Sequence, residues 1–240
     1  MNFIVVPLTS SHDKEVVVTS EVILTHVHQV LKSQVGDRLK LVVLNKGTGD
    51  GKILELSKNK LIIGDLKLSR GKDRNISIAV GLCRPLMTQR ILEHATTMGV
   101  GQFLFFHAEL SEKSYAEAKV LKPKETEKRL VSGLSQTGVF DTLPSVKIVN
   151  SLKELPFTDF EDVYFLDGGE ERFLSIDSKL NEKKILFILG PERGFSENEV
   201  SFLKNRSVPG VRISEFTQRV EFAIHGILSQ VEWISSYANH

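Results

Sequence analysis

From residue 75 onward, short and mostly apolar runs alternate with stretches of helical period, a pattern few folds accommodate. Strand-length apolar runs fall at 76–82, 103–107, 146–149, 163–166, 185–189 and 211–213, and helical patterns lie around 87–98, 124–135, 196–205 and 220–238. Ile185-Leu186-Phe187-Ile188-Leu189 shows no polar alternation, so a strand built from it must be covered on both faces. The pattern predicts an α/β layer around a mostly parallel sheet. Ligands in such sheets bind beyond the carboxyl ends of the strands, so chemistry is expected in the loops that follow them.

The first 70 residues have a different texture. Short β-rich runs at 3–8, 16–19, 38–44, 52–56 and 61–68 are separated by turn signals, which suggests a small barrel. One helical pattern interrupts them, with Ser20 as its cap and Ile23, Val27, Val30 and Leu31 on one face. Arg70-Gly71-Lys72-Asp73-Arg74 has the composition of a linker. The expected division is therefore a barrel domain over 1–72 and an α/β domain over 73–240. Charge divides in the same place: residues 1–74 carry a formal +4 and residues 75–240 a formal −3, behind a net charge of only +1. A basic first part suits contact with a polyanion.

Composition and missing motifs exclude several classes. With 41% hydrophobic residues the 240-residue chain is globular, and no apolar run approaches the roughly 20 residues of a membrane span. Met1-Asn2-Phe3 opens no secretory pattern, so the expected location is cytoplasmic. The single cysteine, Cys83, is read as a core residue. No metal is expected, because His26 and His28 stand two apart in a helical pattern and point to different faces. Gly47-Thr48-Gly49-Asp50-Gly51-Lys52 lacks the spacing of a phosphate loop and reads as a hairpin turn. No G-x-G-x-x-G, H-E-x-x-H or G-x-S-x-G occurs, so ordinary dinucleotide, zinc-peptidase and serine-hydrolase chemistry have no support.

Two strand-end loops remain. Gly190-Pro191-Glu192-Arg193-Gly194-Phe195 directly follows the run 185–189, and Ser196-Glu197-Asn198-Glu199 then forms a capping box that opens the next helix. Such a loop is either a plain strand-to-helix turn or one that lets backbone groups face a flat polar ligand. The second loop, 214–219, leads into a long helix whose Phe222, Ile224, Ile227, Leu228, Val231 and Ile234 form an apolar stripe. Gln218, Arg219 and Glu221 stand at its start, where a helix dipole favours the glutamate but gives no reason for the arginine.

These residues carry a family resemblance. Leu189-Gly190-Pro191-Glu192-Arg193-Gly194-Phe195-Ser196-x-x-Glu199 is similar to the G-P-E-G-G-F-S-x-x-E signature of the bacterial RsmE family, and Arg219-x-Glu221-x-Ala223 resembles its R-x-E-x-A. Upstream, Ile91-Leu92-x-x-Ala95-Thr96-x-x-Gly99-Val100, Gln136-x-Gly138, and His26-x-x-x-Val30-Leu31-Lys32 followed by Gly36-Asp37 resemble further family motifs, in order along nearly the whole chain. The resemblance implies a SPOUT-type α/β methyltransferase domain with a C-terminal trefoil knot, preceded by a PUA-like β-barrel. It implies S-adenosylmethionine as cofactor, methylation of nitrogen-3 of uridine 1498 in 16S ribosomal RNA within the assembled small subunit, and a homodimer.

Carried over by position, Leu166, Leu189, Gly190, Pro191, Glu192, Gly194, Ile213, Ser214, Gln218 and Arg219 would bind the cofactor. Arg219 and Glu221 would be catalytic, and His26, Lys32 and Lys113 would contact RNA. The chain also departs from the pattern. Arg193 stands where the signature has glycine, Val220 and Phe222 flank Glu221 in place of threonines, and Ile213-Ser214-Glu215-Phe216-Thr217-Gln218 replaces an L-G-P-R-I-L run. Family arginines are replaced by Lys113 and Val139, which thins the contacts that supply RNA affinity. A divergent relative acting on another RNA, or a non-catalytic RNA-binding protein, is the alternative reading.

Overall fold

The structure is a computed structural model that describes residues 2–8, 11–12, 14–172, 180 and 183–237. Contacts divide the chain into two compact units, one made of 1–73 and 131–143, the other of 74–130 and 144–240.

The first unit is built on a six-stranded sheet in the order β1-β4-β5-β6-β3-β2: β1 is Ile4–Val6, β2 Ser11–His12, β3 Glu15–Val18, β4 Arg38–Val43, β5 Gly47–Leu56 and β6 Leu61–Ser69. β1 joins β4 in parallel and the other pairs are antiparallel. Ile4, Val6, Val16, Leu41, Val43, Ile53, Leu61 and Ile63 form its core. Residues 47–52 are not the expected hairpin turn. They belong to β5, and the reversal lies just before them, where Asn45 takes a positive φ of 59° and Val43 pairs with Gly47. The glycines serve the close approach of β6, since a Cβ on Gly49 would stand 1.9 Å from the Lys67 carbonyl oxygen.

The helical segment also differs from expectation. α1 (Glu21–Thr25) passes into a π-helical stretch, His26–Leu31, and Ser20 makes no side-chain cap bond. The wider π winding rotates the buried face, so Leu24 and Val27 enter the core while Val30 and Leu31 are left exposed. The opposite side of the sheet explains why the unit is discontinuous. Val5 and Val42 pack with Leu134, Val131, Phe140 and Leu143, and the amides of Asn2 and Phe3 donate to the Ser135 carbonyl. The linker residues are tied down too, Lys72 N–H donating to Val139 and Gly71 N–H to the Asp141 carboxylate.

The second unit contains a fully parallel sheet in the order β12-β10-β11-β7-β8-β9. Its strands are β7 (Ile76–Gly81), β8 (Val100–Phe106), β9 (Ser145–Val149), β10 (Asp162–Arg172), β11 (Ile185–Leu189) and β12 (Gly210–Arg212). The helices are α2 (Pro85–Thr97), α3 (Pro123–Thr137, whose last turns count with the first unit), α4 (Glu197–Asn205) and α5 (Val220–Tyr237). Every residue of β11 is buried, as its unbroken apolar run requires. Leu104, Phe106, Phe165, Leu186, Ile188 and Leu203 fill the core on the α4 side, and α2 packs against both β8 and α5. No helix among the described residues is long and apolar enough to cross a membrane.

Candidate active site

β7, β11, β10 and β12 are neighbours and run the same way, so their carboxyl ends open on one edge of the sheet. The segments that follow β7, β11 and β12 carry most of the candidate residues. After β11, the loop turns at Pro191–Gly194, where Gly194 N–H donates to the Pro191 carbonyl at 2.8 Å. Gly194 has φ +76°, a conformation L side chains rarely adopt. The loop doubles back so tightly that a Cβ on Gly190 would stand 2.7 Å from the Gly194 carbonyl carbon. The capping box is present in both halves: Ser196 Oγ accepts from Glu199 N–H, and the Glu199 carboxylate accepts from Ser196 N–H. Glu199 is buried and its other oxygen accepts from Glu109 N–H, which fastens the start of α4 to the segment after β8.

Glu192, exposed at the tip of this turn, accepts from the backbone N–H of Arg84 at 2.9 Å. The end of β7 is thereby joined to the loop after β11. Between them lies Cys83, buried as expected, its Sγ donating to the Gly81 carbonyl. Burial pushes the Cys83 thiol far above its ordinary pKa, and the carboxylates of Glu192 and Glu221 push it further the same way. Two carboxylates, one in the loop after β11 and one in the first turn of α5, thus act on the same thiol.

The loop after β12 brings Ile213 and Ser214, both half-buried, and leaves Phe216, Gln218 and Arg219 exposed. Gln230, from nearly three turns into α5, donates to the Ile213 carbonyl and anchors the loop. Glu221 is the opposite of Arg219: its side chain is 4% exposed, and neither carboxylate oxygen accepts a hydrogen bond from any described residue. Its ion-pair partner is Arg90 of α2, at 3.5 Å. The α5 stripe is buried at Ile224, Ile227, Leu228, Val231 and Ile234, but Phe222 is 57% exposed and shares an open side of the helix with Trp233.

Of the sequence-derived candidates, Leu189 ends β11 and Gly190, Pro191, Glu192 and Gly194 lie in the loop after it, while Ile213, Ser214, Gln218 and Arg219 lie in the loop after β12 and Glu221 in the first turn of α5. Leu166 is half-buried within β10 between them. Lys113 is exposed in a 3-10 turn, Lys113–Glu117, of the second unit. His26 and Lys32 belong to the first unit, where Lys32 is exposed and His26 keeps a buried, unpartnered Nε2. Sequence reading missed Arg84 and Arg90, whose roles come from adjacency of β7 to β11 and of α2 to α5. Among the described residues, no group of three or more His, Cys, Asp or Glu side chains could hold a metal ion.

Comparison with known proteins defines the class. Residues 70–232 match the family model of the RNA methyltransferase domain. Ribosomal RNA small subunit methyltransferase E 1 of Borreliella burgdorferi is 30% identical over 203 residues, covering 82% of this chain and 84% of that protein. The Aquifex aeolicus ribosomal RNA small subunit methyltransferase E is 30% identical over 140 residues, 58% of this chain and 59% of that protein. In fold, the chain is similar to a crystal structure of the Neisseria gonorrhoeae ribosomal RNA small subunit methyltransferase E bound to S-adenosyl methionine. The TM-score is 0.76 at 16% identity, over 97% of this chain and 98% of that one. The fold is thus α/β of the SPOUT methyltransferase type, with a PUA-like sheet domain at the amino end. The chain belongs to the ribosomal RNA small subunit methyltransferase E family.

Proposed function

We propose that the protein methylates nitrogen-3 of a uridine in 16S ribosomal RNA, uridine 1498 by family resemblance, with S-adenosylmethionine as methyl donor. It works as a cytoplasmic homodimer on the assembled small subunit, through a knotted pocket formed by the loops after β11 and β12. The observation that carries this reading is the buried Glu221 carboxylate, left without hydrogen-bond donors at the same strand ends where the 190–194 loop folds back on itself. Buried acceptors are normally satisfied, so one left open beside a loop of exposed backbone suits a bound ligand.

The residues fit the cofactor. Its sulfonium is cationic, and the acidic residues Glu192 and Glu221 stand at the same strand ends. Leu166, Leu189, Gly190, Pro191, Gly194, Ile213, Ser214 and Gln218 would hold the adenosine and methionine parts. When bound, S-adenosylmethionine supplies an electrophilic methyl group. Uracil nitrogen-3 carries a proton that must leave before the nitrogen can act as nucleophile. A free oxygen of Glu221 accepts that proton, directly or through water, and exposed Arg219 stabilises the uracil anion electrostatically. Pro191 and the tight 190–194 turn keep the loop preorganised, so orientation is set before the reaction begins. His26, Lys32 and Lys113 contact RNA, and the exposed Phe222 and Trp233 of α5 face the second protomer.

Labelled methyl transfer to small subunits from a strain lacking its own enzyme tests the proposal. Reverse transcription should stop at the modified uridine, because a methyl at nitrogen-3 blocks base pairing. Failure to bind S-adenosylmethionine by calorimetry would favour the non-catalytic alternative.

A further inference from the structure

Glu221 is a buried carboxylate whose one ion-pair partner among the described residues comes from another helix. Arg90 Nη1 lies 3.5 Å from Glu221 Oε1, and the Arg90 side chain is 43% exposed against 4% for Glu221. The two therefore have unequal needs. Arg90 can be satisfied by water, whereas an ionised carboxylate inside the protein is strongly disfavoured without a nearby cation.

The pairing is imposed by the packing of α2 on α5. One helical turn further along both helices, His94 and His225 stand with ring centroids 5.4 Å apart. Steps of four residues on each helix thus bring 90 to 221 and 94 to 225, which fixes a register along one seam. Arg90 is delivered to Glu221 by this register, and it engages only one oxygen. Among the described residues, nothing pairs with Oε2 and neither oxygen accepts a hydrogen bond.

We propose that Arg90 is a positioning residue for methyl transfer: its guanidinium beside Oε1 holds the Glu221 carboxylate in place, so that Oε2 remains available to take the imide proton. The proposal rests on the base role given to Glu221 above. It assigns Arg90 no contact with RNA or cofactor, and predicts that its whole effect passes through the Glu221 carboxylate.

A double-mutant cycle on single-turnover methyl transfer to small subunits tests this. Arg90→Ala should slow transfer about 10-fold, with KM for S-adenosylmethionine and for subunits changed less than about 2-fold. Arg90→Lys, which keeps the cation, should recover most of the rate. In a Glu221→Gln background, which removes the carboxylate charge, Arg90→Ala should slow transfer by less than about 2-fold. An equal slowing in both backgrounds, or no slowing in either, overturns the role of Arg90 while wild-type turnover upholds the enzyme reading. A wild type inert on subunits overturns both together. Should Arg90→Ala fail to fold, Arg90→Met keeps the aliphatic stem and serves in the same cycle.

Discussion

Glu192 accepts a hydrogen bond at 2.9 Å from the backbone N–H of Arg84, a residue 108 positions earlier in the chain. The bond crosses from the end of β7 to the loop after β11, two strands in register from Ile76↔Ile185 to Val80↔Leu189. A side chain thus does what the sheet ladder no longer does beyond the strand ends. It holds Arg84, the residue that precedes α2, against the turn that carries Gly190 and Gly194.

Replacing Glu192 separates its charge from its hydrogen bond. Glu192→Gln keeps an acceptor for Arg84 N–H and should hold the loop, while Glu192→Ala releases it. Calorimetry should show S-adenosylmethionine affinity falling about 10-fold or more in Glu192→Ala and less in Glu192→Gln. Equal losses in both variants would make the charge, and not the loop anchor, the source of affinity.

The two glycines of that loop should respond differently. A Cβ on Gly190 meets the backbone of Gly194 and Phe195 at 2.7 to 2.9 Å, so Gly190→Ala must reshape the loop and abolish cofactor binding. A Cβ on Gly194 meets nothing within 4 Å, but φ +76° makes an L residue there unfavourable by about 1–2 kcal/mol. Gly194→Ala should therefore lower the thermal midpoint while retaining measurable binding. Calorimetry together with thermal unfolding distinguishes the two effects.

The parallel sheet was legible because β11 and its neighbours are short, apolar and flanked by helical periods. The capping box at Ser196 and Glu199 was legible for a similar reason: every residue it needs lies within four positions. Three features were hidden. The π winding at 26–31 keeps Ile23 and Val27 on the core side but brings in Leu24 and turns Val30 and Leu31 out, which periodicity at 3.6 cannot reveal. The glycines at 47–51 look like a turn until β6 is known to press against them. Arg84 and Arg90 act through strand and helix adjacency, and strand order is not written in any local pattern. Loop residues around Glu192 and Glu221 could be singled out by motif, whereas the burial of Glu221 and exposure of Arg219 depend on how α5 sits against α2.

His225 provides a pH test of the α2–α5 seam. Burial holds its imidazole below the ordinary pKa, His94 adds to this, and Glu221 works in the opposite direction. In the unfolded chain the imidazole titrates normally, so below about pH 6.5 the unfolded state binds more protons than the folded one. Stability should therefore be intact above that range and fall as pH drops through it. In thermal melts between pH 8 and pH 5.5, His225→Phe should show a shallower acid-side loss than wild type. Identical slopes would remove His225 from the account.

The last prediction concerns the unequal pair at the start of α5. Arg219 is exposed and Glu221 is buried, although only Val220 separates them, so they should fail in different ways when replaced. Arg219 faces solvent, where substrate arrives, and no helix-end stability argument accounts for a cation there. Arg219→Ala should slow methyl transfer on the order of 100-fold, the scale of losing one preorganised charge-stabilising group, with little change in melting temperature. Glu221→Gln should slow transfer as well, but it also replaces a buried carboxylate whose one ion-pair partner among the described residues is Arg90, so its melting temperature should change where that of Arg219→Ala does not. Labelled methyl transfer and thermal unfolding on the same preparations decide the matter. If Arg219→Ala transfers methyl at the wild-type rate, anion stabilisation must come from another group, and the exposed arginine belongs to RNA binding alone.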